Sequence, residues 1–368
     1  MNDRVNDTFV RSLPSTRTVL TIPRIAVPNE PFETVPIARG DVAVTRLGFG
    51  SAPIGGLFSE VDDDEAARTV ERAWTLGIRY FDVAPLYGYG TAERRLGAVL
   101  RDRQRDDFVV STKVGRLVRP ADEVPPGADI DRQALDGRPD AFYAGTEGRR
   151  IVFDYSADGV RRSLEESLER LGLDRIDVAF IHDPDDHWQA AIEGAYPALH
   201  RLREQGVLRA IGAGMNQTAM LARFARETDM DVFLVAGRYT LLDQAALPEL
   251  LPLCVERGIR VVVGGVMNSG VLADQGPGAR FDYRPAGRDI VDRARRLAAA
   301  CERHDVPLRA AAVQFPLAHP AVAGLVAGVR RVAHLDEYPA LMRRVLPRAL
   351  WDDLRADGLI PADAPTPA

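Results

Sequence analysis

The chain has 368 residues, 46% of them hydrophobic and 27% charged, enough to bury a full core with the composition of an ordinary globular protein. A net charge of −6, with acids and bases mixed along the sequence, excludes the basic face that nucleic-acid binding requires. Two cysteines in unrelated contexts, Cys254 and Cys301, exclude a disulfide scaffold and lack metal-ligand spacing, which points to a reducing cytoplasm, and no apolar run reaches the ~18 residues of a membrane span.

Residues 1–35 are polar, are punctuated by Pro14, Pro23, Pro28 and Pro31, and hold no sustained period. They show no apolar stretch before a small-residue cleavage site, and they read as an extension of disordered composition outside a single domain at 36–368. From Val42 the pattern changes. Short β-branched or aromatic runs at 47–50, 79–83, 108–113, 176–182, 208–214, 232–236, 260–264 and 322–327 read as strands. Amphipathic stretches lie between and after them, at 64–76, 91–101, 156–171, 188–205, 219–228, 247–257, 288–304, 308–318 and 333–344. Gly77, Gly172, Gly206 and Gly258 stand where helices stop, and Thr91 stands as an N-cap with Glu93 in the first turn, where the helix dipole favours an acid.

Strands and helices alternating in this way predict a (β/α)₈ barrel over an open doubly wound sheet. The turn after the first strand, GFGSAPIGG, has no third glycine in register at a helix start, so it matches the dinucleotide fingerprint of such a sheet only weakly. A long insertion at 114–151, rich in Pro, Gly and Asp, follows the third strand and reads as a lid or pocket wall.

Barrel chemistry collects at the C-terminal ends of strands. The second strand ends FDVAPLYG, with Asp82 at its tip and Tyr87 in the loop; the third ends VVSTKVG, with Lys113 at its tip; the fourth ends AFIHDPDDH, with His182 at its tip. Neighbouring strands lie ~4.8 Å apart, so these four groups can share one small volume. A phenol with a pKa of ~10 is a poor acid or base near neutrality. A lysine beside it favours the phenolate, an aspartate keeps that lysine charged, and a histidine can bond the substrate oxygen or relay a proton.

The segments FDVAPLYGYGTAERRLG, VVSTKVGR and VAFIHDP resemble the aldo-keto reductase superfamily over roughly residues 44–338. The phrases HDPDDH, AYPALHRLREQGVLRAIGAGMNQ, GRYTLLDQ and GGVMNSGVL are most similar to its sugar-oxidising branch, the D-threo-aldose (L-fucose) dehydrogenases, and to their pyridoxal 4-dehydrogenase relatives. The resemblance implies a catalytic tetrad of Asp82, Tyr87, Lys113 and His182 and an extended NAD or NADP, with neither a Rossmann domain nor a metal. It carries cofactor contacts to Gly50, Asn216 (for the nicotinamide amide), Met267, Asn268, Ser269 and Gly270 (for the pyrophosphate), Gly328, Arg330 and Glu337 (for the adenosine end). The family's aromatic under the nicotinamide falls here at Gly264 or Gly265, and its strand-six glutamine is lost near Ala236. Gly328 and His334 occupy the positions where a lysine and an arginine grip the 2′-phosphate of NADP, which favours NAD, although Arg330 or Arg331 can still pair with a phosphate. Phe58, Phe142 and Trp188 are candidate walls of the substrate pocket. The implied reaction is oxidation of an aldose at C1 to its lactone. The alternatives are NADPH-dependent reduction of aldehydes or ketones, oxidation of pyridoxal, and a nicotinamide-binding regulatory barrel.

Overall fold

The computed structural model describes residues 30–38, 42–131, 142–146 and 148–367. Near its start, β1 (Thr34–Pro36) and β2 (Ala43–Thr45) form an antiparallel hairpin. Eight further strands pair in parallel: β3 (Leu47–Gly50), β4 (Tyr80–Asp82), β5 (Val109–Val114), β8 (Val178–His182), β9 (Ala210–Met215), β10 (Val232–Ala236), β11 (Arg260–Gly264) and β14 (Val322–Gly328). They run in that order around a closed barrel, with β14 bonded back to β3. The intervening numbers belong to two hairpins on the barrel's loops, β6 (Arg116–Pro120) with β7 (Arg149–Phe153), and β12 (Arg280–Phe281) with β13 (Arg284–Pro285). The expected (β/α)₈ barrel is the observed architecture.

The outer layer is helical: α1 (Asp63–Leu76), α2 (Thr91–Leu100), α3 (Ala157–Leu171), α4 (Trp188–Ala190), α5 (Tyr196–Glu204), α6 (Ala219–Glu227), α7 (Leu250–Arg257), α8 (Arg288–Glu302), α9 (Leu308–Leu317), α10 (Val332–Arg343) and α11 (Arg348–Ala356). Local chemistry sets several of their ends. Asp62 caps α1 by accepting from the Glu65 N–H at 2.7 Å, and Ser156 caps α3 by accepting from the Gly159 N–H at 3.0 Å. Thr91 is not a cap: Gly90, at φ 86°, precedes α2, and Thr91 is its first residue. Glu93 does more than complement a dipole, because its buried carboxylate is ion-paired to Arg170 of α3 at 2.5 Å. The expected continuous helix at 188–205 is broken by a π-turn at Ala191–Ala195, just before Pro197, whose missing N–H cannot close the regular ladder. The last helix, α11, has no counterpart in the sequence reading; it buries Leu350, Trp351 and Leu354. No described helix is long and apolar enough to cross a membrane.

Strand alternation decides which side chains enter the barrel. Tyr80, Val109, Val178, Phe180, Val232, Leu234, Val262 and Val326 form an interior cluster, whereas Phe81, Val110, Ala179 and Ile181 belong to the cluster under the helices. Val35, Ile37, Val42 and Val44 of the β1–β2 hairpin join the interior cluster and close one end of the barrel. The N-terminal boundary therefore falls earlier than 35. From Glu30 onward the chain is bound to the barrel: Leu47 N–H donates to the Pro31 carbonyl at 2.8 Å, and buried Arg46 pairs with Glu33 at 2.9 Å. Residues 1–29 lie outside the described residues.

Candidate active site

The same alternation that points Tyr80 inward points Asp82 inward, and it does likewise for Lys113 after Val109 and Ser111, and for His182 after Val178 and Phe180. All three sit at the end of the barrel away from the hairpin plug. Lys113 Nζ donates to Asp82 Oδ2 at 2.7 Å and to the Val83 carbonyl at 3.0 Å. Ser111 Oγ donates to Asp82 Oδ1 at 2.7 Å and shares a 3.0 Å hydrogen bond with the Tyr80 hydroxyl. Tyr87 is placed by a tight loop in which Gly88, at φ 61°, backs onto Gly55; a Cβ at Gly88 would lie 2.1 Å from the Gly55 carbonyl oxygen, so only glycine fits. Lys113 Nζ stands 4.6 Å from the Tyr87 ring centre, and the His182 ring meets the Tyr87 ring edge-on at 6.0 Å. The backbone of His182 is fixed by the Tyr155 hydroxyl, which donates to its carbonyl at 2.7 Å.

Burial raises the Tyr87 phenol well above its usual 10, and the negative charge of Asp82 adds to the rise. This reverses the lowering expected from Lys113: burial outweighs it, and the Asp82 carboxylate acts on the phenol in the same upward direction. Burial also pushes His182 well below 6.5, helped by the positive charges of Arg116 and Lys113, so the imidazole is neutral and acts as a hydrogen-bonding group.

Two cavities meet at Tyr87. One, of about 360 Å³, is lined by Tyr87, Lys113 and His182 together with Arg116, Asp131, Tyr143, Asp183, Asn216, Arg238 and Tyr283. The other, of about 400 Å³, is an elongated groove running past Gly50, Pro53, Gly264, Gly265, Met267, Ser269 and Gly270 to Arg309, Gly328, Arg330, His334 and Tyr338. Leu57, Tyr87, Leu234, Ala236 and Tyr283 border both.

The profile of the Aldo/keto reductase family matches residues 46–356. This chain belongs to the aldo/keto reductase family. It is 44% identical to a D-threo-aldose 1-dehydrogenase of a Pseudomonas species over 328 residues, covering 88% of this chain and 97% of the relative. It is 40% identical to the pyridoxal 4-dehydrogenase of Microbacterium luteolum over 338 residues, with the same shares. Among solved structures, the holo form of an aldo-keto reductase from Bacillus halodurans superposes with a TM-score of 0.69 at 24% identity, covering 90% of this chain and 98% of that one, which supports the shared fold. The protein is thus an NAD(P)-dependent oxidoreductase.

In this aldo/keto reductase the groove fits a dinucleotide. Its glycines expose main chain for close approach, Met267, Val266 and Val329 supply apolar contact, and Arg309, Arg330 and His334 supply charge and hydrogen bonds at the far end. Ser269 is held at φ 57° and accepts from the Tyr283 N–H at 3.1 Å. Not every expected contact faces the groove. The Asn268 side chain turns away, accepting from Thr240 at 2.6 Å and donating to the Gly237 carbonyl at 3.2 Å, so it props the loop. Asn216 lines the cavity beside Tyr87, Lys113 and His182, where its side chain bonds the Tyr283 hydroxyl and its N–H bonds Asp183. Glu337 reaches the groove only through Arg309, to which it is ion-paired. Phe142 lines the cavity that holds Lys113 and His182, and Phe58 the groove. Trp188 lines neither: its ring packs 4.7 Å from that of Phe224 on α6, with the Arg223 guanidinium 3.8 Å above it.

Several residues of the site escaped the sequence reading. Arg309 comes from α9, ahead of β14 and α10, where the adenosine positions were expected. Tyr283 comes from a two-residue hairpin turn, Asp282 at φ 48° and Tyr283 at φ 64°, clamped by Arg238 donating to both Asp282 oxygens at 2.8 and 2.7 Å. Without Asn-Gly at its centre the turn had no local signal. Arg116 and Asp131 lie within the 114–151 insertion, and the β6–β7 hairpin brings Arg116 opposite Phe153. Residues 132–141 of that insertion lie outside the described residues.

Proposed function

We propose that this enzyme oxidises a cyclic aldose at its anomeric carbon to the lactone, passing the hydride to the nicotinamide and the hydroxyl proton to Tyr87. The observation that carries this reading is the character of the cavity beside Tyr87. Its wall sets carboxylates, guanidinium groups, an amide and phenols among apolar residues such as Leu57, Leu86, Phe142, Met215 and Leu234, so it offers several hydrogen-bond partners that a simple aldehyde would leave unused. Such a wall suits a ring bearing a hydroxyl on most carbons, and the 44% identical relative is a D-threo-aldose 1-dehydrogenase.

The residues divide the work. The groove would hold NAD or NADP, whose ring accepts a hydride. Tyr87 takes the proton of the C1 hydroxyl as the C1 hydride leaves, so that the C–H and O–H bonds are exchanged for a carbonyl. Neutral His182 hydrogen-bonds the same oxygen, and Lys113, anchored by Asp82, stabilises the phenolate. NAD is the preferred cofactor in this reading, because Gly328 and His334 line the groove's far end while Arg330 is bonded to Ser59 and Arg309 to Glu337. Both cysteines are free and buried, in keeping with a cytoplasmic enzyme.

A second reading, oxidation of pyridoxal, is favoured by the 40% identical relative of that name. The deciding experiment is a panel of aldoses, pyridoxal and simple aldehydes against NAD, NADP and their reduced forms. Lactone formed from an aldose with NAD supports the proposal. Turnover confined to pyridoxal, or to aldehydes with NADPH, overturns it.

A further inference from the structure

The cavity beside Tyr87 contains a carboxylate that the proton chemistry does not use. Asp183 directly follows His182, and its backbone is held at φ 38°, in the left-handed region that few non-glycine residues occupy. Strain of this kind persists where the surroundings over-determine it, and it clusters at ligand-binding sites. Here the surroundings are specific. The Asp183 N–H donates to the Gly214 carbonyl at 3.1 Å, the Asn216 N–H donates to the Asp183 carboxylate, and Arg116 Nη2 approaches Oδ2 at 3.4 Å. Arg116 is more strongly engaged elsewhere: Nη1 donates to Asp131 at 2.5 Å, and its guanidinium covers the Phe153 ring at 5.1 Å. Two partners, one of them long, leave Asp183 with acceptor capacity, since an ionised carboxylate offers about four lone-pair sites.

We propose that Asp183 is a specificity-determining residue that accepts a hydrogen bond from the sugar hydroxyl next to the reacting carbon, with Arg116 as its positioning residue. The inference rests on the aldose reading above. Asp183 Oδ2 lies 3.5 Å from His182 Nε2. With His182 neutral this contact is not an ion pair; it places an acceptor beside the group that meets the reacting oxygen. Adjacent ring hydroxyls of a pyranose are about a hydrogen-bond length apart, so a sugar whose C1 oxygen meets Tyr87 and His182 brings a neighbouring atom to Asp183. C1 has two neighbours bearing on this choice. The ring oxygen has no proton to donate, and the C2 hydroxyl has one. A carboxylate acceptor therefore selects the C2 hydroxyl and fixes which way round the ring lies.

Acid should weaken this contact. Burial pushes the Asp183 carboxyl up to about 6, with Asp185 of its own loop adding to the rise and Arg116 of β6 and Lys113 of β5 opposing it. Asp131 and Tyr283 also border the cavity, and His182 is uncharged. Below about pH 6 the acceptor becomes a donor and the C2 hydroxyl loses its partner.

The test compares wild type with Asp183→Asn and Asp183→Gly, using L-fucose and 2-deoxy-L-fucose as substrates. Asparagine tolerates the left-handed backbone, and glycine adopts it freely, so both variants keep the loop conformation. Melting temperature and dinucleotide affinity, read by fluorescence quenching, establish that the fold and groove are intact. In wild type, the 2-deoxy sugar should lose about 10- to 100-fold in kcat/KM, the worth of a hydrogen bond to a charged group. In Asp183→Gly the two sugars should be used almost equally, with Asp183→Asn between. The extra steepening of the L-fucose profile below about pH 6 should vanish in both variants, leaving the rise set by Tyr87. A folded Asp183→Gly enzyme that still discriminates as wild type does overturns the inference and leaves the aldose reading standing. A wild type that oxidises neither sugar overturns both.

Discussion

Lys113 Nζ donates to Asp82 Oδ2 across 2.7 Å, and the two side chains are only 2% and 3% exposed. A buried pair of this kind is costly to break, since either member alone would be an unpaired charge. It fixes an ammonium 4.6 Å from the ring of Tyr87, a phenol that borders both cavities. Tyr87→Phe should therefore lower kcat by about 10²–10⁴-fold, the usual worth of a positioned acid–base group. Dinucleotide affinity should hardly move. Steady-state rates and fluorescence titration of the variant check both, and a loss below tenfold would remove Tyr87 from the proton-transfer role.

The far end of the groove sets the second expectation. Gly328 and His334 cannot grip a phosphate as a lysine and an arginine do, and Glu337 holds the Arg309 guanidinium. NAD should give a higher kcat/KM than NADP. Glu337→Gln should release Arg309 for a 2′-phosphate and raise the NADP value by about tenfold, in line with a charge-assisted hydrogen bond. A wild-type preference of a hundredfold for NADP would contradict this and direct attention to Arg330.

The hairpin plug sets the third. Removing residues 1–29 should leave melting temperature and activity unchanged. Extending the deletion through 38 removes Val35 and Ile37 from the barrel interior and should lower stability sharply. Ile37→Ala isolates the packing contribution; at a fully buried site it should cost about 2–5 kcal/mol in a denaturant titration. Equal stability of the two truncated chains would show that the hairpin is dispensable.

These three cases also show where the sequence was legible. Asp82, Lys113 and His182 could be placed because a strand's two-residue alternation fixes which side chains enter the barrel, and that rule is local. Tyr87 followed from the motif around it. Trp188 was misplaced because a π-turn three residues on and the apolar face of α6 decide where its ring goes, and neither is readable from the indole itself. Arg116 and Asp183 are 67 residues apart, and their meeting depends on the β6–β7 hairpin inside a stretch whose composition reads as a lid or pocket wall but does not give its pairing. Asn268 had the right position for a cofactor contact, but Thr240 and Gly237 take its side chain. Position along the chain identified the loop; only packing decided which atoms face the groove.

The last expectation concerns pH. With burial raising the Tyr87 phenol well above 10, the protonated form prevails throughout the neutral range. That form is the acid needed to reduce a carbonyl, and the ionised form is the base needed to oxidise a hemiacetal. Oxidation of L-fucose should therefore climb with pH from neutrality to pH 10 without a plateau, while reduction of an aldehyde stays level until the phenol begins to ionise. His182 contributes no limb near 6.5, because burial and the charges of Arg116 and Lys113 keep it neutral to far lower pH. Lys113→Met removes the positive charge facing the ring and leaves Asp82 uncompensated, and both changes raise the phenol further. The variant should oxidise more slowly at every pH, and its profile should rise later than that of wild type. Melting temperature must be followed alongside, since an unpaired Asp82 destabilises the barrel mouth. The measurement is kcat/KM from pH 6 to 11 for both proteins, with a deuterium effect at C1 confirming that hydride transfer limits the rate. A wild-type profile that is flat above pH 7 under those conditions would show that Tyr87 is not the titrating base.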